Sequence, residues 1–281
     1  MIVFQYQLFY YLIFITNVYA FGLLGKLLNQ PFIKNRKNII FNINSTIDEK
    51  KVITISPGGF RGFYMLGLCK YLKENYELED YVFSGASAGA WNSLFLSLKE
   101  DDESFINYIF DIDYKNVKNL ELIEENVKKA VLNNYKTDDF KLDKVYVGTT
   151  VWKKFKFRTV IYNDFYDLED AINCCIGSSH IPFITGNLFY KYRNLLTFDG
   201  GFSKYPYIDG KYADVHITPS YWEDRKKNKL SQPANLNIRD YTTLFTKKDH
   251  DLKIMYIHGY EDAKKNKKIL DSLFPRKNNK K

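Results

Sequence analysis

Cysteine is scarce in this 281-residue chain. Cys69, Cys174 and Cys175 form an odd set with an adjacent pair, which excludes a disulfide framework and suits a reducing compartment. No Cys-x-x-Cys pair occurs, so a zinc finger or ribbon is excluded too. Nucleotide motifs are also missing. The run Gly58-Gly59-Phe60-Arg61-Gly62 lacks the Gly-x-Gly-x-x-Gly spacing of a dinucleotide fold, and Arg61-Gly62-Phe63 does not supply the Gly-Lys-Ser/Thr ending of a phosphate loop. No zinc-finger spacing or basic region running into heptads accompanies the positive charge, so nucleic acid is not an expected partner. Internal repeats are absent.

What is present is an ordinary folded composition with a basic excess. Hydrophobic residues make up 45% and charged residues 26%, which rules out general disorder. The formal charge is +8, and an excess of that sign draws polyanions or an acidic membrane surface. Its densest runs, Lys264 to Lys268 and Arg276 to Lys281, read as a solvated helix face and a tail, or as an attraction to anionic lipid.

From Ile2 to Leu24 the chain is nearly uninterrupted apolar, about long enough to cross a bilayer as a helix. No Lys or Arg precedes this run, whereas Lys26, Lys34, Arg36 and Lys37 follow it. That asymmetry favours a retained anchor with the body in the cytosol. The alternative is a secretory signal cut near Val18-Tyr19-Ala20. Residues 1–25 are thus a hydrophobic segment, 26–50 a polar linker, 51–274 the folded body and 275–281 a basic tail.

Within the body, Val52 to Ile55 predicts a buried strand that stops at Ser56-Pro57-Gly58-Gly59. A helix is expected over Phe63 to Leu72, a strand over Tyr81 to Phe83 and an apolar helix over Ala88 to Leu98. Strand, glycine turn, helix, repeated, is the pattern of a parallel sheet with helices on its faces. Further helices are expected at Phe105 to Phe110, Leu120 to Leu132 and Leu168 to Ile176, and a hairpin at Val145 to Tyr162. Leu195 to Phe198 and Ile254 to Ile257 read as the last strands, with a basic helix over Asp262 to Leu273. One α/β domain is the economical reading.

Three motifs carry chemistry. Gly85-Ala86-Ser87-Ala88-Gly89 fits Gly-x-Ser-x-Gly, a tight strand-to-helix turn that presents a strained serine at the top of a sheet. The glycine run from Gly58 to Gly62 ends the preceding strand, where mobile backbone lets N–H groups approach a developing oxyanion. Asp199-Gly200-Gly201 follows a strand, and open α/β sheets place ligands at strand ends. Taken singly, each is also compatible with a plain turn.

In that order the three motifs resemble the patatin-like phospholipase family, over roughly Val52 to Leu273. Ser178-Ser179-His180-Ile181-Pro182 and Gly259-Tyr260-Glu261-Asp262-Ala263 are further echoes, and Pro57 departs from a third glycine found in many members. The resemblance implies a three-layer α/β fold with a mostly parallel central sheet and a nucleophile elbow at Gly85 and Gly89. It also implies a Ser87–Asp199 dyad acting on phospholipid or other acyl-lipid esters without a metal or other cofactor. Gly58, Gly59, Phe60, Arg61 and Gly62 would form the oxyanion hole, Gly200 and Gly201 would complete the aspartate motif, and Arg61 would place a phosphate head group or make a structural ion pair.

Two other readings stand beside it. The order Ser87, Asp199 or Asp209, His258 matches an α/β-hydrolase triad. A catalytically silent, membrane-tethered lipid-binding module would keep the fold without the reaction.

Overall fold

The strands form where β-branched and aromatic residues predominate, because a sheet covered on both faces favours them. In the computed structural model, residues 39–40, 50–114, 120–153, 156–181, 185–186, 189–202, 208, 213–222 and 251–277 are described. Strands β1 (Ile39–Ile40), β2 (Lys51–Ile55), β3 (Tyr81–Gly85), β4 (Val145–Lys153), β5 (Lys156–Tyr162), β6 (Tyr190–Tyr192), β7 (Leu195–Phe198) and β8 (Val215–Ile217) make one eight-stranded sheet. Its order is β1-β5-β4-β3-β2-β8, with β7 on β4 and β6 on β7. The heart, β4-β3-β2-β8, is parallel, and the β4–β5 hairpin and the β6–β7 pair add antiparallel neighbours.

The described α-helices are α1 (Gly62–Asn75), α2 (Ala88–Ser97), α3 (Asp102–Phe110), α4 (Leu120–Asn134), α5 (Leu168–Ser179), α6 (Leu252–Lys265) and α7 (Lys267–Asp271), with 3₁₀ turns at Gly59–Arg61, Thr137–Asp139, Leu142–Lys144 and Gly200–Phe202. Ile53, Ile55 and Phe83 from the sheet, Leu68 and Leu72 from α1, and Leu94 and Phe95 from α2 share one large core. Val52, Val82, Tyr146 and Ile161 alternate to the opposite face, where Ile208 covers them. This is the three-layer α/β fold with a mostly parallel central sheet.

The register at β4 decides where the site forms. Val147 pairs with both Gly85 of β3 and Tyr162 of β5, so β3 and β5 take opposite edges of β4. Thr150 likewise pairs with Thr159 of β5 and Phe198 of β7, which puts β7 on the same edge as β3. Because β3 runs parallel to β4 and β7 antiparallel, their C-terminal ends meet head-on across Gly148 and Thr149.

The C-terminal region differs from its expected form. Ile254 to Ile257 lies in α6, not in a strand; the edge beside β2 is occupied by β8, which the sequence pattern did not mark. Asp251 caps α6 by accepting from the Lys253 and Ile254 amides. Gly259 then lets the helix lie against α1: a Cβ there would stand 1.9 Å from the Tyr64 carbonyl oxygen. The apolar run was short enough to suit either period, and tertiary packing chose the helix.

The tail is also more engaged than its charge implied. Glu77 N–H donates to the Pro275 carbonyl, Lys277 N–H donates to Asn75, and Arg276 pairs with Asp271 at 2.5 Å. In the expected linker, Ile39–Ile40 pairs in parallel with β5. Residues 1–38, including the apolar segment, lie outside the described residues. Among those described, no helix is long and apolar enough to cross a membrane.

Candidate active site

Ser87 sits between β3 and α2 with φ 53° and ψ −128°, a left-handed conformation for a residue with a Cβ. Its neighbours explain how the turn closes. A Cβ on Gly89 would lie 2.1 Å from the Ile55 carbonyl oxygen, and one on Gly85 would lie 2.2 Å from the Gly89 oxygen. Only glycine at both positions lets α2 start this close to the sheet. Ser87 N–H donates to Ser178 Oγ at 2.8 Å, and that hydroxyl donates to the Gly148 carbonyl at 2.7 Å. Ser178 thus ties the strained turn to β4.

Asp199, at the end of β7, is brought to Ser87 by the head-on meeting of β3 and β7. Its own N–H donates to the His180 carbonyl at 2.7 Å, and its Oδ1 accepts the Gly201 N–H at 2.6 Å. Burial pushes the carboxyl up to about 6, against the pull of hydrogen bonds from the Ser87 side chain and the Gly201 amide. Gly200 lets this happen at close quarters, since a Cβ there would strike the Gly148 oxygen and the Ala86 methyl. The Ser178 to His180 segment therefore holds both partners: Ser178 from the serine side, His180 from the aspartate side.

The glycine run divides into two parts. Arg61 N–H closes a turn on the Gly58 oxygen, and Gly62 N–H reaches the Gly59 and Phe60 oxygens. Those two amides are committed. The amides of Gly58, Gly59 and Phe60 have no acceptor among the described residues, and all three residues line the cavity over Ser87. So does Ala88, whose N–H at the first position of α2 has none either. The sequence reading missed Ala88; its place directly after the elbow serine was the available signal. Arg61 is exposed and does not line the cavity.

That cavity has a volume of about 190 Å³. Ser87 and Asp199 lie on its wall, with Leu66, Trp91, Phe95, Phe105, Ile109 and Val127 among its apolar lining. His258 does not line the cavity. It is exposed on α6, not past a strand end. His180 is buried with its ring against Thr185 and Tyr190, and it is not a lining residue either. Asp209 lies outside the described residues. The three cysteines are buried and burial pushes their thiols up, so none is a nucleophile. Among the described residues, no group of three His, Cys, Asp or Glu side chains could hold a metal ion.

Residues 53–210 match the family model described as Patatin-like phospholipase. Two solved structures are similar to the chain. VipD from Legionella pneumophila is 13% identical with a TM-score of 0.40, over 90% of this chain and 74% of that one. The ExoU–SpcU heterodimer from the type III secretion system of Pseudomonas aeruginosa is 12% identical with a TM-score of 0.36, over 80% of this chain and 52% of that one. No curated protein matches.

Proposed function

The chain belongs to the patatin-like phospholipase family, and from that premise we propose that it hydrolyses acyl-lipid esters through Ser87 and Asp199. One observation carries the reading: a serine in a strained elbow and a buried aspartate share the wall of one apolar cavity. An ordinary carboxylate is a weak base for a serine. Burial strengthens Asp199 as a base while leaving most of it ionised at neutral pH.

In the proposed reaction Asp199 takes the Ser87 proton as Oγ attacks the ester carbonyl. The oxyanion is held by the amides of Gly58, Gly59, Phe60 and Ala88, close to the N-terminus of α2. Collapse returns the proton from Asp199 to the leaving alcohol and leaves an acyl-serine. Asp199 then deprotonates water, which attacks the acyl-serine; the second collapse restores the Ser87 hydroxyl and frees the fatty acid. Pro57, which has no N–H, precedes the free amides, so this scheme needs no third glycine there.

The test is fatty acid release by the full chain from anionic phospholipid vesicles, with Ser87→Ala, Asp199→Asn and His258→Ala in parallel. The proposal expects the first two to lose at least a thousandfold, on the scale of nucleophile or base removal. The third should keep most of its rate. Equal loss in His258→Ala would replace the dyad by a triad. No release by the unmutated chain from any acyl ester would leave a lipid-binding module.

A further inference from the structure

The cavity holds one side chain that the proposed reaction does not use. Glu124, on α4 between the lining residues Ile123 and Val127, faces the cavity. The other polar lining side chains are engaged. Asn92 donates to the Gly62 and Ala88 carbonyls. Tyr114 donates to Ile109, and Ser179 accepts from Trp91 while donating to Cys175. Thr185 accepts from the Ile181 N–H and lies against the ring of His180. Ser87 and Asp199 carry the proposed reaction, and Asp199 Oδ1 accepts from the Gly201 N–H. Glu124 makes no hydrogen bond or ion pair among the described residues.

A carboxyl in an apolar wall needs a partner, and the described residues supply none. When the cavity is filled by plain hydrocarbon, water is expelled and the group is left stranded. We propose that Glu124 is a specificity-determining residue of this site, selecting lipids that bring a free hydroxyl to the carboxyl. The inference rests on the acyl-hydrolase reading of the cavity. A hydroxyl fits better than a cation because it can donate to the carboxyl in either protonation state, and the surroundings of Glu124 disfavour its charged form. Burial, then the carboxylates of Asp199 and Glu121, hold it well above the usual carboxyl range. A neutral carboxyl both donates and accepts, and one hydroxyl answers both needs. Two sources carry that chemistry: the glycerol of a single-chain lipid, or a hydroxyl on the acyl chain itself.

Binding to the full-length Ser87→Ala variant, read by calorimetry at pH 7, tests this without any hydrolysis. One pair of ligands is a monoalkyl glycerol ether and its di-O-methyl form. A second is an alkyl methyl ether with and without a mid-chain hydroxyl. An alkyltrimethylammonium serves as the cationic probe. The expected result is that at least one hydroxyl-bearing ligand binds tenfold or more tighter than its match, the scale of one buried unmet polar group. Which pair responds identifies the source. Glu124→Leu should abolish the difference by tightening the hydroxyl-free ligand, and Glu124→Gln should keep it. Equal binding within both pairs, a difference that survives Glu124→Leu, tightest binding of the cation, or no binding at all would overturn the proposal. Because hydrolysis is not read, a chain that discriminates here yet cleaves no ester would overturn the reaction alone.

Discussion

Replacing Asp199 with asparagine is expected to make the protein more stable at the pH where it becomes inactive. The carboxyl is fully enclosed, and burial raises it from the ordinary 3.8 to about 6. Above pH 6 the folded protein keeps an ionised group that is easier to ionise in the unfolded chain. At about 1.4 kcal/mol per pH unit, this costs on the order of 3 kcal/mol at pH 8. The sign follows from proton counts. Between about pH 4 and 6 the folded state binds more protons than the unfolded state, so stability falls as pH rises through that window and is flat beyond it. Asparagine keeps the geometry: its oxygen can accept from Gly201, and its amide can donate to the Ser87 oxygen. The variant should therefore gain little near pH 4 and roughly 3 kcal/mol at pH 8, or about 6–10 °C in Tm. Urea unfolding of both proteins from pH 4 to 8 measures this, repeated in a Glu124→Gln background because that carboxyl is also displaced upward. A stability difference that does not widen with pH would refute the claim that Asp199 is held ionised against burial.

Three further outcomes are expected. On an uncharged ester, kcat/KM should rise about tenfold per pH unit below the Asp199 value near 6 and level off above it; a profile that continues to climb past pH 7 would point to a different base. Ser178→Ala removes the acceptor of the Ser87 amide, so stability should fall by about 1–2 kcal/mol and kcat should fall while KM changes little. Unchanged kcat would mean that the elbow holds its own geometry. Gly259→Ala places a methyl against the Tyr64 carbonyl of α1, where backbone cannot yield, and should cost roughly 2–4 kcal/mol by thermal or chemical melting; a neutral result would detach α6 from α1.

The elbow was legible because its chemistry is local. Small residues around Ser87, a strand before and an apolar helix after are all within a few residues, and backbone sterics at positive φ leave few alternatives. The glycine run was legible as a place but not as a set of donors. Which amides are free depends on the 3₁₀ turn at Gly59–Arg61, which commits Arg61 and Gly62 and leaves Gly58, Gly59 and Phe60. α6 was misread and β8 left unmarked for one reason. Three or four apolar residues carry too little periodicity to separate strand from helix, and the choice fell to which element could cover β2 and which could dock on Tyr64.

By itself the sequence determined the alternation of strands and helices from β2 to α5, the family and the three motif positions, because these rest on short-range sterics and residue chemistry. That Ser87 and Asp199 face one cavity was decided by the tertiary structure, through two strands of opposite direction that end face to face on one edge of β4. So were the upward displacement of Asp199 and the lack of a partner for Glu124 among the described residues. Both depend on what surrounds a carboxyl in three dimensions, and residues distant in sequence supply that surrounding.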